Sequence, residues 1–411
     1  MVNSKNLGGY QRLMKWTPLF SIGMFLIAFP FTTSISYAVS LSTVEGDFLA
    51  AIEDIDQNRL EEAMERLLAI TQHTPEFKLA QVIFADLVSA QANPIESFAA
   101  AVPIRSSLVE ELRQEAVVRG QYRTQKPKNG SIPKSLVKMA DGQSHAIVVD
   151  LSKSRLYLFE NKSGKPVLVK DFYASSGSEG AEKFISGDKK TPVGVYFVTT
   201  RLAAKNLPDK YGSGALPLNY PNALDAQQQK TGNGIWLHGS PTDTYSRAPL
   251  ASEGCVSLTN YDFAQLDSII DIHSTPVIIG ENIEWLTESD WLAQQQPFSQ
   301  LVNDWKKSWE SLDTQDYLSN YSHDFDNGRE DYIAWSAKKI RINKAKSYVN
   351  IDLKNLSFFS YPGQGNILVV TFKQHYMSNN FNGKDTKRQY WKKEGDKWRI
   401  IFEGAPSSGK I

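Results

Sequence analysis

The chain has 411 residues, room for about two to four domains and a sizeable core. Its 45 basic and 45 acidic side chains cancel, which excludes a nucleic-acid binder relying on a strongly basic whole. The 41% hydrophobic and 22% charged content suits a soluble globular protein, and one cysteine excludes an intramolecular disulfide or a CxxC metal knuckle.

Residues 1–38 carry Lys5, Arg12 and Lys15 and no acid, then an apolar run from Leu19 to Phe31. Ser36 and Ala38 place small residues at the −3 and −1 positions of a cleavage site before Val39. The pattern predicts a signal peptide, or an uncleaved N-terminal anchor, and therefore export to the periplasm or cell envelope. The run is short for a bilayer span of roughly 20 residues.

Residues 39–120 read as helical. The stretch 39–93 holds ten acids and three bases. Its apolar residues recur at helical spacing: Phe48, Ile52 and Ile55, then Leu60, Ala63, Leu67 and Ile70, then Leu79, Val82, Ile83 and Leu87. Ala63, Leu67 and Pro75 resemble one tetratricopeptide unit. A single unit cannot bury a solenoid core, so this is either a hairpin that docks an envelope protein or a helical packing extension. A further helix is expected around Ser106–Arg119, and the Pro- and Gly-containing residues 121–144 read as a solvated linker.

Residues 145–284 change to strands. Ala146–Asp150, Arg155–Glu160, Pro166–Ser175, Gly194–Thr200, Gly234–His238 and Pro276–Ile279 are β-branched or aromatic runs between turn residues, with one helical pattern at Asn260–Ile270. This is a mostly-β domain. Residues 285–411 read as α+β: a helical stretch, Trp291–Tyr321, interrupted by Pro297, then strands at Tyr348–Tyr361, Asn366–Tyr376, Lys387–Lys393 and Lys397–Glu403.

The chemistry concentrates in the β-rich segment. His238-Gly239 ends a strand, and Cys255 follows 17 residues later in Ser252-Glu253-Gly254-Cys255. A thiol is only a few per cent ionised at pH 7 and needs a neighbouring base. His238 is placed to supply it. Gly254, lacking a side chain, permits close approach of substrate, and backbone N–H groups around Gly254-Cys255 are candidates for an oxyanion site. Six scattered histidines include no HxH or HExxH pair, so a zinc site is not expected.

These motifs resemble the YkuD-type L,D-transpeptidase catalytic domain, which carries His-Gly at a strand end and then Ser-x-Gly-Cys. The hairpin from His145 to Phe159 and the Lys190-Thr191-Pro192-Val193-Gly194 run are also similar to that family. The resemblance implies acyl transfer in the bacterial cell wall, on peptidoglycan stem tetrapeptides. Cys255 would be the nucleophile, His238 the general base and then acid, and the Gly239 carbonyl would orient the imidazole. Gly254 and Ser252 would shape the oxyanion turn. No metal or organic cofactor is implied.

Two positions depart from the pattern: Glu253 stands where the family has histidine, and Ser257 where it has arginine or asparagine. The acyl acceptor is then an amine, as in cross-linking, or water, as in hydrolase members. A non-catalytic wall-binding scaffold is the other alternative; a sortase-like site lacks a nearby following arginine. Ser252, Ser257 and Tyr220, the last in an irregular loop, are the candidate substrate contacts. The tail resembles the SnoaL-like, nuclear-transport-factor-two-like (NTF2-like) cone fold, with Trp305, Trp309, Tyr317, Tyr321 and Phe325 on helical spacing. It implies a binding or dimerising accessory.

Overall fold

The computed structural model describes residues 43–92, 98–101 and 106–406. The predicted export segment, 1–38, lies outside them. Among the described residues no helix is long and apolar enough to cross a membrane.

The described residues begin with four helices: α1 (Val44–Asp56), α2 (Leu60–His73), α3 (Lys78–Ala90) and α4 (Ser106–Tyr122). Phe48 and Ala51 of α1, Leu67 and Ile70 of α2, Leu79 and Val82 of α3 and Leu112 of α4 close into one small core. Charge ties this core to the next domain. Glu45 on α1 accepts from buried Arg119 on α4 and lies 2.8 Å from Arg155, itself buried on a strand of the β domain. The two guanidinium carbons sit 3.8 Å from the ring centres of Tyr173 and Tyr122, so each cation is packed as well as paired.

The β domain is built on a five-stranded sheet in the order 165–173, 155–162, 145–150, 276–280, 194–197. Pro276–Gly280 runs parallel to His145–Asp150 and antiparallel to Gly194–Phe197. Both faces of its inner strands are buried, which is why these read as unbroken apolar runs rather than as alternation, while the edge strand 165–173 leaves Val167–Val169 exposed. Ile147, Val149, Leu156, Leu158, Tyr196, Val277 and Ile279 face the half of the domain that carries Leu237 and Val256. Ala146, Val148, Tyr157, Phe159, Val195, Phe197 and Ile278 face the other way, onto Phe359, Tyr361 and Ile401 of the C-terminal sheet.

A second, four-stranded sheet, ordered 256–257, 236–238, 214–217, 202–203, carries the histidine and cysteine segments. The helix Asn260–Asp267 follows, capped by Thr259 Oγ1, which accepts from Asp262 N at 3.0 Å.

The C-terminal domain wraps a meander of long antiparallel strands, 349–361, 364–378, 381–394 and 397–404, around three helices, Glu288–Glu310, Thr314–Ser319 and Tyr332–Lys344. Trp305, Trp309, Tyr317, Tyr321, Phe325, Trp335 and Trp391 fill its interior. The first helix runs through Pro297 without a break. Tertiary contacts on both sides hold it: Trp291 Nε1 donates to the Leu136 carbonyl at 2.7 Å, and Val302 and Trp305 are fully packed. The helix Tyr332–Lys344 has no counterpart in the sequence reading. Its isoleucines 333, 340 and 342 are exposed and only Trp335 and Asn343 are buried, so it lacks the apolar stripe by which a helix is recognised.

Residues 121–144 are a connection, but not a solvated one. Ile132–Pro133 pairs with Trp285–Leu286, and Leu136, Val137 and Met139 are fully buried between the two domains. The Pro/Gly punctuation marks turns within a packed segment.

Candidate active site

Strand Trp236–His238 runs parallel to Val256–Ser257, with Leu237 opposite Val256 and His238 opposite Ser257. Cys255 immediately precedes that pairing, so the register brings both reactive side chains to one cleft of about 580 Å3. Both are nearly buried. His238 Nδ1 lies 2.6 Å from the Gly239 carbonyl. A carbonyl only accepts, so Nδ1 carries the proton and Nε2 is left with its lone pair, the tautomer a base requires. Ser257 Oγ donates to the same carbonyl at 3.1 Å, fixing it from the other side.

Burial pushes the His238 imidazole down to about 4, and the positive charges of Arg247 and Lys210 act in the same direction. Burial pushes the Cys255 thiol up, against the Trp236 N–H, Lys210 and Arg247, which favour thiolate; Glu253 opposes them. Thiol and imidazole are therefore both neutral at rest, with the thiol donating to the Gly234 carbonyl at 3.3 Å. Such a pair reacts by transferring the thiol proton to Nε2 as the sulfur attacks.

The turn before the cysteine is held by hydrogen bonds. Gly254 N donates to Ser252 Oγ at 3.1 Å, and Ser252 Oγ donates to the Cys255 carbonyl at 2.6 Å. Thr191 Oγ1 donates to the Gly254 carbonyl at 3.0 Å and accepts from Gly177 N at 2.9 Å, which gives the Thr191-Pro192 motif a structural task. Gly254 has φ +118°, and a Cβ there would come within 2.7 Å of the Lys190 carbonyl. The glycine is thus required by its own backbone and by the neighbouring loop, rather than by room for a substrate.

Glu253 points outward, where its carboxylate meets Lys210 Nζ at 3.1 Å; that ammonium holds it below its usual range. Tyr211 stands edge-on to the imidazole, ring centres 5.1 Å apart. Tyr220 does not line the cleft: its ring packs against Tyr196 in the core and its hydroxyl donates to the Thr231 carbonyl at 3.2 Å. Ser257 is likewise buried behind the site, while Ser252 lines it.

The other wall comes from the N-terminal helices. Phe77 and Glu76 ahead of α3, and Leu108, Glu111, Leu112 and Glu115 of α4, face the cysteine across the cleft. The loop between the two reactive residues is docked there: the Tyr245 ring lies 4.3 Å from Phe77, and Ser246 Oγ donates to Glu115 at 2.6 Å. Sequence reasoning found His238, Gly239, Ser252 and Cys255 but missed Lys210, Tyr211, Arg247 and this helical wall. No short-range motif marks them, because they come from two irregular segments, around residues 210 and 247, and from chain more than a hundred residues upstream.

Residues 144–279 match the model of the L,D-transpeptidase catalytic domain, YkuD, and residues 298–404 match that of the Cds6 C-terminal NTF2-like domain. The chain carries a YkuD domain followed by an NTF2-like domain. Among solved structures the chain is similar to Bd1075 of Bdellovibrio bacteriovorus. The two are 28% identical, covering 68% of this chain and all of that one, with a TM-score of 0.61. It also shares the fold of Pgp2 of Campylobacter jejuni, described as a helical cell shape determining protein. That match is 23% identical, covers 72% of this chain and all of Pgp2, and has a TM-score of 0.56. No curated protein sequence matches the chain. The layout of helices, YkuD domain and NTF2-like domain is therefore the one expected from sequence, and the likeness to Bd1075 and Pgp2 extends over about two thirds of it.

Proposed function

We propose that this protein is a cysteine-dependent enzyme of the peptidoglycan stem that cleaves the bond between the L-centre of diaminopimelate and the terminal D-alanine. His238 Nε2 takes the Cys255 proton as Sγ attacks the carbonyl carbon. The C–N bond breaks as the imidazolium returns that proton to the D-alanine amine, leaving a thioester. The Gly254 N–H is engaged by Ser252, so stabilisation of the oxyanion falls to the Cys255 N–H. A typical donor of this kind is worth about 3 kcal/mol.

The acceptor that best fits the cleft is water. A cross-linking enzyme must hold a donor and an acceptor stem together. Here one side of the cysteine is walled by Phe77 and α4, and the remaining volume of about 580 Å3 is that of a site for one ligand. Water attacks the thioester, His238 takes its proton, the C–S bond breaks and the thiol is re-formed with a tripeptide carboxylate. The enclosing helical wall carries this choice of water over the amine that the sequence resemblance suggested. Because the stem lies outside the inner membrane, export by residues 1–38 belongs to the same proposal, as does a part in cell shape, to which the shared fold with Pgp2 lends support.

The test is intact-mass spectrometry of the protein with a purified disaccharide-tetrapeptide. An acyl adduct on Cys255, free D-alanine and a tripeptide product are expected. Cys255→Ala should abolish all three at about 1 kcal/mol or less of stability. A cross-linked dimer would restore the amine acceptor, and neither adduct nor D-alanine from folded protein would leave a wall-binding scaffold.

A further inference from the structure

Three cations line or rim the cleft on the catalytic side and at its mouth: Lys78, Lys210 and Arg247. Lys78 is exposed at the start of α3, and Lys210 is engaged by Glu253. Arg247 differs from both. It sits in the loop between His238 and Cys255, is partly buried, and borders the cleft together with those two residues. Among the described residues its guanidinium donates through one Nη to the Ala251 carbonyl, four residues on, and no carboxylate lies within ion-pair distance of it. The acidic side chains near enough to act on it are Glu253, whose carboxylate is turned to Lys210, and Glu111 of α4, while the neutral Cys255 thiol borders the same cleft.

A guanidinium has five donors in a planar fork that matches a carboxylate with two parallel bonds. The bond to Ala251 fixes the side chain while leaving most of that fork uncommitted. The bond to be cut sets the distance: the terminal carboxylate of the substrate lies one residue beyond the carbonyl attacked by Cys255, and successive Cα atoms are about 3.8 Å apart. A group that holds it must therefore stand beside the thiol.

We propose that Arg247 is the specificity-determining residue that binds the free C-terminal carboxylate of the stem peptide, restricting cleavage to a single terminal residue. This rests on the peptidase reading above and adds to it the reason why one residue is removed. Ala251 orients the guanidinium, the α4 wall blocks extension of the chain beyond it, and a peptide continuing past the scissile residue or ending in an amide presents no charge to the fork. A site built to bond a charged terminus rejects the analogue that lacks it, since the site's own donors are then left unpaired.

The experiment compares two substrates on the full chain: the disaccharide-tetrapeptide with its free terminal carboxylate, and the same compound as the C-terminal carboxamide. Release of D-alanine or D-alaninamide gives kcat/KM for each. Wild type is expected to favour the acid by about 10- to 100-fold. Arg247→Gln should bring the two substrates to near parity through a loss on the acid, mostly in KM, and Arg247→Lys should recover part of the preference. An unchanged acid-to-amide ratio in Arg247→Gln overturns the assignment. So does an equal loss on both substrates, which would make Arg247 a support of the 247–255 loop only. If wild type releases neither amine, the peptidase reading fails and this assignment with it, an outcome distinct from a ratio that does not move.

Discussion

The cleft that holds His238 and Cys255 and the interior of the NTF2-like domain both place ionisable groups out of water, with opposite results. In the cone, Glu403 accepts from Lys387 at 2.8 Å, Tyr321 at 3.0 Å and Gln389 at 2.8 Å. Burial alone would push its carboxyl up, but Lys387 and Lys339 outweigh it and hold it down at about 2. Lys339, half-buried with its ammonium 4.2 Å from the Trp335 ring centre and 4.9 Å from that of Trp309, is pushed down to about 7 by desolvation against these rings and by the like charge of Lys387. In the cleft, His238 has a neutral carbonyl for a partner and Cys255 another, so burial prevails and both remain uncharged. Buried charge that is paired and hydrogen-bonded supports the fold, whereas buried groups left neutral are those able to exchange a proton in a reaction.

The contrast can be broken at several points. The largest effect is expected on the cleft side. His238→Ala should lower kcat/KM for D-alanine release by about 10²–10⁴-fold while leaving the thermal transition close to that of wild type. A smaller loss would mean that another group takes the thiol proton.

Between the two regions lies the shared core. Phe359 is fully buried, its ring centre 6.3 Å from that of Phe197 across the domain boundary. Phe359→Ala should cost about 3–5 kcal/mol in denaturant unfolding and lower one common transition, because both domains lose the same contact. Two separated transitions would show that the domains fold independently.

On the cone side, Glu403→Gln leaves Lys387 without its carboxylate and should cost about 3–5 kcal/mol, with kcat/KM of the folded fraction unchanged. Since Glu403 is held below its ordinary 4.5, its contribution is complete above about pH 4.5 and is lost as the pH falls towards 2. Stability of Glu403→Gln should therefore vary less with pH over that window than that of wild type. An equal slope would place the titrating carboxylates elsewhere.

The smallest effect is a displaced pH limb. His238 is held near 4 rather than its ordinary 6.5, so its base form persists down to about pH 4. The acid limb of kcat/KM should lie there, with circular dichroism recording that the protein remains folded. A limb near 6.5 would indicate a solvated imidazole.

Much of this was legible in the linear chain. Strand and helix periods located the long strands and most of the long helices, while short strands such as Ile132–Pro133 and Gly214–Pro217 went unread, and His238-Gly239 with Ser252-Glu253-Gly254-Cys255 marked the candidate pair, because a strand end, a glycine with positive φ and a thiol are all local requirements. The helix Tyr332–Lys344 escaped because its isoleucines face solvent, and Tyr220 read as a loop residue at the cleft because nothing local records that its ring is buried against Tyr196.

By itself, then, the sequence determined which residues could do chemistry and the order of the three parts. The tertiary structure alone decided that α3 and α4 wall the cleft, that residues 132–139 are core rather than tether, and that Arg247 borders the same cleft as Cys255. The physical reason is range. Propensity, capping and turn chemistry act over a few residues, whereas burial and the pairing of charges such as Glu45 with Arg155 join positions 110 residues apart, and no local pattern encodes them.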